Sequence, residues 1–315
     1  MRATIGSSID MKEMFFRKEI VVAVSAFFLA APFVLGLFPG NAYASSTVIF
    51  LTTTGSNTWS VPSDWNNSAN TIEVIGAGGA GVTGNAGGGG GGGAYSEGTN
   101  VSLNPSGSAS YFVGAGSAGA GGDTIFNGTG STCDGTQTSE VCAKGGSVGT
   151  VPTGGAGGQS SGGVGSGFSG GTGGSGASGK SSGTGGGGGG AAGPNGAGGN
   201  GSLSTGGQGD NGHGGTGGAL SGITGTAGGD GSEWTQTSNS ATAGSGGGSG
   251  GATSGSSGSA GSYGGGGGGT GSVTGGSAAS GKQGIIVITY TPAATPARIL
   301  RLHGHIRLKG HIRLK

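Results

Sequence analysis

The chain has 315 residues, of which 90 are glycine and only 8% are charged, and its formal net charge is +1. Ordinary soluble domains contain about 7% glycine and about 25% charged residues, so this composition excludes a typical globular enzyme. Collagen is excluded as well, because glycine does not recur strictly at every third position and the chain has only 8 prolines.

The N-terminal segment has the pattern of an export signal. Arg17 and Lys18 precede an apolar run over residues 20–38, and small residues in A-x-A spacing follow at 42–44. A basic flank, an apolar run and a small-residue cleavage point are typical of a secretory signal peptide. We expect residues 1–44 to direct export, to the cell surface or beyond it. The length of the apolar run leaves an uncleaved membrane anchor as the alternative.

Residues 45–154 predict a β framework. Short runs rich in β-branched and aromatic residues alternate with Gly, Asn, Asp and Pro, which is the pattern of strands joined by turns. The expected strands are residues 47–53, 58–61 and 71–75, the stretches AYSEGTNVSL and SASYFVG on either side of an Asn-Pro turn, and then DTIF and CAKGG.

The two cysteines of the chain, Cys133 and Cys142, lie in a short loop of this framework. An exported protein meets an oxidising environment, where an even number of cysteines predicts a disulfide. A metal site would need further ligands, and none of the four histidines is near these cysteines in the sequence. We therefore expect a disulfide.

Two motifs resemble nucleotide-binding loops, G-x-G-x-x-G at residues 76–81 and G-x-x-x-x-G-K-S at residues 174–181. Both need a helix after the loop, and the glycine-rich flanks cannot supply one, because each interior glycine costs a helix up to about 1 kcal/mol relative to alanine. The segments GGQGDNGHG at residue 206 and GGDGSEWTQ at residue 228 resemble calcium-binding repeats, but they are isolated and not in tandem. His213 has no strand or helix to orient it, so it does not predict a catalytic site either. We predict no catalytic, cofactor or metal site.

Residues 155–283 are almost wholly Gly, Ser, Thr, Ala and Asn. This segment has only six Val, Leu, Ile or Phe residues, which are Val164, Phe168, Leu203, Leu220, Ile223 and Val273. They are too few for a hydrophobic core, so disorder is one expectation for the segment.

Three pure glycine runs, at residues 87–93, 185–190 and 264–269, favour a different interpretation. A flexible linker would tolerate serine, whereas pure glycine is needed where backbones approach each other without any Cβ atom. Polyproline-II strands of glycine have three residues per turn and no internal hydrogen bonds, so neighbouring strands can supply them. We expect a polyglycine-II bundle, closed by a strand at residues 284–291 (GIIVITYT) that is buried on both faces.

Residues 292–315 are predicted to be a linker and a basic β-tail. From Leu300 onward apolar residues and two glycines occupy even positions and basic residues odd ones, the alternation of a strand with one apolar and one basic face. The tail has no acid and six basic residues of the Arg or Lys type, which are Arg298, Arg301, Arg307, Lys309, Arg313 and Lys315. Residues 45–297, by contrast, have nine acids and three lysines, a net charge of −6. We expect the tail to pair with the sheet edge near the closing strand, to pair with a copy of itself, or to bind a membrane or envelope surface through anionic lipid or polysaccharide.

Several segments, taken in order, resemble the glycine-rich domains of phage tail-fibre tips and related bacterial surface proteins. They span roughly residues 47–291 and are TWSVPSDWNNSANTIEVIGAGGAG, GGDTIF, AKGGSVG, GGGGGGAAGPNGAGGNGS, SYGGGGGG and GIIVITYT. The resemblance implies a polyglycine-II sandwich and, in tail fibres, receptor-binding loops. The signal peptide and the cysteine loop depart from that pattern, and the signal indicates a protein exported by a cell.

We therefore expect an exported, non-catalytic surface protein that acts as a structural, adhesion or receptor-binding module. Its expected partner is a surface glycan or an envelope component, and no nucleic acid. The alternatives are an ice- or carbohydrate-binding secreted protein and a largely disordered matrix or cell-wall protein. An enzyme is not expected, because the acids are too sparse to predict an active site.

Overall fold

The computed structural model describes residues 44–134, 139–179 and 183–294. The predicted signal peptide, apart from Ala44, and the tail from residue 295 onward lie outside the described residues. Within these ranges no helix is both long and apolar enough to cross a membrane.

The framework consists of two antiparallel sheets, whose strands are numbered in chain order. The first sheet has the strand order β1 (Thr47–Leu51), β13 (Ile285–Tyr290), β3 (Asn70–Ile75), β4 (Tyr95–Thr99) and β8 (Ser166–Phe168). The second has the order β2 (Gly55–Ser60), β5 (Ser108–Val113), β6 (Thr124–Phe126) and β7 (Val141–Ala143). Two short hairpins lie elsewhere, β9 (Leu220–Ser221) with β10 (Thr224–Gly225) and β11 (Trp234–Thr235) with β12 (Thr242–Ala243).

The expected fold class, mainly β with no significant helix, is confirmed. The described residues contain only two helical turns, both 3-10, at Ser160–Gly162 and Asp210–Gly212. Strand ends differ from the expected ones, since β1 ends at Leu51 and β2 begins at Gly55. β2 starts earlier than its β-branched and aromatic residues indicate, because pairing with β5 extends to Gly55 whatever the side chain.

The closing strand β13 is buried on both faces, as its continuous apolar run predicts. Ile286 and Ile288 belong to the core between the two sheets, which includes Phe126 of the second sheet. Ile285 and Val287 project from the opposite face into a separate cluster on the glycine-rich side. All four β13 residues are fully buried. Burying an aliphatic side chain contributes about 1.5–3 kcal/mol, so this strand holds both layers of the protein together.

The glycine-rich region forms a bundle of strands that are hydrogen-bonded in a three-residue rhythm. Its centre is residues 87–94, whose N–H groups donate in turn to three neighbouring segments at 2.7–3.0 Å. The carbonyl oxygens of the same residues accept from three further segments, so the central strand has six neighbours. Gly87, Gly90 and Gly93 donate to Thr270, Gly267 and Gly264; Gly88, Gly91 and Ala94 donate to Thr150, Ser147 and Lys144; Gly89 and Gly92 donate to Gly174 and Gly171.

Three residues per turn, with every hydrogen bond made between strands, is the polyglycine-II arrangement. Residues 185–192 form a second strand of this kind. Their N–H groups donate in turn to three neighbouring segments, at residues 246–252, 87–93 and 199–202. The bundle is not confined to residues 155–283, because residues 76–82, 87–94 and 144–150 belong to it. Among residues 155–283, the described segments form backbone hydrogen bonds to neighbouring strands, so a structure that folds on backbone pairing replaces the expectation of disorder for them.

Close packing explains why the interior runs are pure glycine. A Cβ atom added to Gly90 would fall on the carbonyl oxygen of Gly79, and one added to Gly89 would fall on that of Gly187. The same holds for every residue of the run 87–93, each of which faces a neighbouring backbone carbonyl. Side chains can therefore occupy only the rim and the ends of the bundle.

The bundle has two ends with different surroundings. At the framework end, strands of the bundle continue into the first sheet, as Ile75 leads into residue 76 and Ala94 leads into β4. The opposite end, beyond Gly87, consists of turns, and we call it the loop end. Thr47 pairs with Tyr290 at the edge of the framework that is farthest from the bundle, which we call the base. The described chain thus begins and ends at the base, opposite the loop end.

Candidate functional site

Seven loops meet at the loop end of the bundle. Backbone hydrogen bonds connect them, for example from Thr253 N–H to the Ile223 carbonyl (3.1 Å) and from Gly183 N–H to the Gly271 carbonyl (2.8 Å). Thr83 and Thr270 form a parallel bridge between two more of them. The loops comprise residues 82–86, 149–153, 176–183 (of which 180–182 lie outside the described residues), 202–205, 219–226, 252–257 and 270–278.

The loop end concentrates exposed aliphatic side chains. Val151, Leu203, Ile223 and Val273 are 53%, 47%, 59% and 70% exposed, and within the described residues only one other large hydrophobic side chain is exposed, that of Phe168. Single exposed apolar residues are normal on any protein, but four at one end are a concentration of the kind that marks interaction surfaces. Four different loops contribute them, so the fold and not the local sequence brings them together.

The loop end is rich in hydroxyl groups, several of which brace the turns. Ala278 N–H donates to Thr83 Oγ1 (3.2 Å), and Thr224 Oγ1 donates to the Ser221 carbonyl (3.2 Å). No described residue of the seven loops is charged, and Lys180, which the sequence places in one of them, lies outside the described residues. A shallow groove of about 240 Å³ runs between residues 80–83 and 278–280. The surface is therefore uncharged where it is described, and its turns are held in place.

The framework end, by contrast, buries its polar groups. The Tyr95 hydroxyl lies 2.9 Å from Glu73 Oε1 and 3.1 Å from Glu97 Oε2, and Trp234 Nε1 donates to Glu73 Oε2 at 2.8 Å. Burial raises the pKa of the Glu73 carboxyl, although the hydrogen bonds from Tyr95 and Trp234 oppose this. Burial and the neighbouring Glu73 charge raise the pKa of Tyr95, which keeps its hydroxyl a donor. Glu73 and Tyr95 are 8% and 2% exposed, so this cluster clamps β3, β4 and β11 and is closed to a substrate.

Two more carboxylates fasten the loops of the framework end. Asp210 is fully buried and accepts hydrogen bonds from the backbone N–H groups of Asn195 (2.7 Å) and Gly196 (3.0 Å). Glu233 Oε1 accepts from Ser245 N–H at 2.8 Å, and burial raises the pKa of the Glu233 carboxyl. These acids hold neighbouring chain segments together and do not converge on an open pocket.

The expected disulfide between Cys133 and Cys142 is present, with a Cα–Cα distance of 5.7 Å. Beside it, Lys144 Nζ lies 2.9 Å from Asp123 Oδ2 and donates to the Cys133 carbonyl at 2.8 Å. Both cysteines also belong, with Glu140, to the one grouping of possible metal ligands in the described ranges. Because both sulfurs are bonded to each other, that grouping offers no thiolate to an ion.

The nucleotide-like motifs have other roles in the fold. Gly76, Gly78 and Gly81 donate their N–H groups to the carbonyls of Ala94, Lys282 and Ala279, so none of these amides is free to hold a phosphate. Gly174, the first residue of the second motif, donates to Gly187 inside the bundle.

Of the other residues considered from the sequence, His213 is exposed and follows the 3-10 turn at Asp210–Gly212. The predicted surface-binding residues Arg298, Arg301, Arg307, Lys309, Arg313 and Lys315 lie outside the described residues.

Sequence reasoning missed the loop end. It counted Leu203, Ile223 and Val273 as too few for a core, whereas the structure places them together with Val151 in exposed turns. The available signal was their immediate context, since each is flanked by Ser, Thr, Gly or Pro, as turn residues are.

A family model for a glycine-rich domain matches residues 52–291, about three quarters of the chain. No curated protein matches the chain. The matched range contains both sheets, apart from β1, and the whole bundle.

Proposed function

Since the chain belongs to the glycine-rich domain family, we propose that it is a non-catalytic binding module that presents its loop end to a partner on a surface. The observation that carries the proposal is the concentration of four exposed aliphatic side chains on seven interconnected loops. The described chain begins and ends at the base, so anchoring segments attached there would leave the loop end pointing outward.

The chemistry of the loop end favours an uncharged partner. Aliphatic side chains pack against apolar C–H surfaces, and the Ser and Thr hydroxyls between them can donate and accept hydrogen bonds. A neutral surface glycan, which has both C–H faces and hydroxyls, fits this combination. Ice binding is less well supported, because the seven loops differ in length and sequence and form no regular array of Thr or Ala.

We place the protein outside the cell. The support is the predicted signal peptide at residues 1–44 together with a disulfide, which persists in oxidising compartments. A role without catalysis is supported by the positions of the acids at the framework end, because Glu73, Asp210 and Glu233 each accept a hydrogen bond that links separate segments of the chain.

The basic tail supplies a proposed second contact, with anionic lipid or polysaccharide. Six Arg or Lys residues would make such binding strongly dependent on salt, and His303, His305 and His311 would strengthen it below about pH 6.5. Binding of the full chain to anionic and neutral vesicles at low and high salt measures this contact separately from the loop end.

The test of the loop-end proposal replaces the four aliphatic residues with serine (V151S, L203S, I223S and V273S together) and measures binding to immobilised neutral glycans and to cell envelopes. We expect at least a tenfold loss of affinity, since interface cores depend on a few apolar residues. The matched control is Phe168→Ser, which removes an exposed apolar side chain outside the loop end. Equal binding by the quadruple variant and the wild type would refute the proposal.

A further inference from the structure

Strand β2 has a free edge. Among the described residues it pairs only with β5, on one side, and it is the terminal strand of the second sheet. The Ser110 carbonyl of β5 accepts from Asn127 on the side of β6, so the odd-numbered residues of β5 face β2. In an antiparallel pair this directs the N–H groups of Ser56, Thr58 and Ser60 away from the sheet. None of these three amides donates a hydrogen bond within the described part of the chain.

Other edges of the framework are protected. Val48 of β1 donates to Thr237 Oγ1 (2.7 Å) and accepts from Thr237 N–H (3.1 Å), so a loop covers that edge. Cys142 of β7 exchanges two hydrogen bonds with Val164 (3.1 and 3.0 Å). β8 is only 3 residues long. β2 has 6 residues, GSNTWS, and no Lys or Pro, the residues that natural proteins use to block edge pairing.

The last described residues of the chain, Ala293 and Ala294, lie near the end of β2. Ala293 N–H donates to the Asp64 carbonyl (2.9 Å), and Asp64 follows β2 by four residues. β2 runs toward the base and ends there, so a segment that continues from Ala294 back along β2 would run antiparallel to it. The four steps from Ala294 to Arg298 span at most about 14 Å, so the segment begins close to Asp64 and hence to the end of β2.

We propose that part of the C-terminal segment of residues 298–315 occupies this edge, which is 6 residues long, as an added antiparallel strand. Its strict alternation suits strand addition, in which main-chain hydrogen bonds hold the segment and alternate side chains select it. The apolar row of Leu and Ile would lie on the side of Trp59, which is partly buried and packs edge-on against Trp65 at 5.6 Å. The basic row would then lie on the exposed side, with Ser56 and Thr58.

Charge favours this segment over a second copy of β2. Residues 45–297 have nine acids and three lysines, a net of −6, whereas residues 298–315 have a net of +6. Two β2 edges would bring together two bodies of the same negative sign, while the tail brings the opposite charge. A docked tail would also place its basic row along the exposed side of β2, where it is available to an anionic envelope.

The experiment compares amide exchange, detected by NMR, in the full chain and in a chain ending at residue 297. We expect Ser56, Thr58 and Ser60 to exchange at least about tenfold more slowly in the full chain, because only there do their amides have partners. Asn57 and Trp59, whose amides face β5, serve as internal controls and should not change. Adding a synthetic peptide of residues 298–315 to the truncated chain should restore the protection, whereas a peptide of scrambled order should not.

A second variant keeps the test independent of truncation. Thr58→Pro removes an outward N–H group and should leave the sheet intact, since proline is tolerated on edge strands at such positions. In the full chain it should abolish the protection of Ser56 and Ser60. Three results would overturn the proposal: fast exchange of these amides in the full chain, protection that survives truncation, and protection that rises with protein concentration, which would assign the edge to a second copy.

Discussion

The loop end and the framework end of the glycine bundle share the same backbone strands but carry opposite side-chain chemistry. At the framework end, Glu73, Tyr95 and Trp234 are buried and joined by hydrogen bonds, and the buried Asp210 accepts hydrogen bonds from the Asn195 backbone and side chain. At the loop end, the described residues are uncharged and four aliphatic side chains are exposed. The two ends differ because the pure glycine strands of the bundle leave no room for a Cβ atom, so larger side chains must lie at its rim or at one of its ends.

The largest expected effect is at the centre of the bundle, which joins the two ends. Gly90→Val should prevent folding or cost well over about 3 kcal/mol, because its side chain would overlap the Gly79 carbonyl and the packed backbone cannot yield. Circular dichroism and urea unfolding would measure this. Gly119→Ala is the control, since its added methyl group would meet only Ser117 Oγ at 3.7 Å, and it should be nearly neutral. A folded Gly90→Val variant of normal stability would contradict the bundle.

The next effect concerns the framework. Replacing Cys133 and Cys142 with serine should lower the free energy of unfolding by roughly 2–3 kcal/mol, since the disulfide closes a short loop whose unfolded entropy it restricts. Loop-end binding should be unchanged in the folded fraction. Thermal unfolding with and without a reducing agent measures the difference, and free thiols in the exported protein would show that the bond is absent.

A smaller effect comes from the buried acids of the framework end. The pKa values of Glu73 and Glu233 are raised by burial, so their protonated forms are favoured in the folded state. Their contribution to stability is therefore complete below the ordinary carboxyl value near 4.5 and is lost as the pH rises through the raised values. Urea unfolding between pH 4.5 and 8 should show declining stability, and Glu73→Gln should reduce that slope. An unchanged slope in Glu73→Gln would show that this carboxyl does not couple folding to pH.

The smallest effect on stability is expected at the loop end. Ile223→Ser or Val273→Ser should change the free energy of unfolding by no more than about 0.5 kcal/mol, because both side chains are mostly exposed. The same substitution at Ile285 of β13, which is fully buried, should cost several times more. Urea unfolding of the three variants tests this contrast. A large loss at Val273 would indicate that the loop end is a structural element and not a free surface.

Much of the fold is predictable from local sequence. The β-branched runs predict most framework strands, the continuous run GIIVITYT predicts a doubly buried strand, and the pure glycine runs predict polyglycine-II packing. The strand ends, the limits of the bundle and the pairing of β8 with β4 differ from the prediction. The neighbours of each glycine strand are not predictable. Glycine runs are alike in sequence, so nothing in Gly87 indicates that its partners are Thr270 and Gly186 and not some other carbonyl and amide.

By itself, the sequence determined the local elements of this protein. These are strands at both ends of residues 45–297, glycine where no side chain fits, two cysteines close enough in the chain to bond, and a tail of alternating apolar and basic residues. Only the tertiary structure decided which of these elements lie next to each other. It collected Val151, Leu203, Ile223 and Val273 at one end and buried Glu73 between Tyr95 and Trp234 at the other. It also left the outer edge of β2 without a partner strand among the described residues. The physical reason is that these groupings depend on hydrogen bonds between backbones far apart in the chain, and backbone groups are the same in every residue but proline.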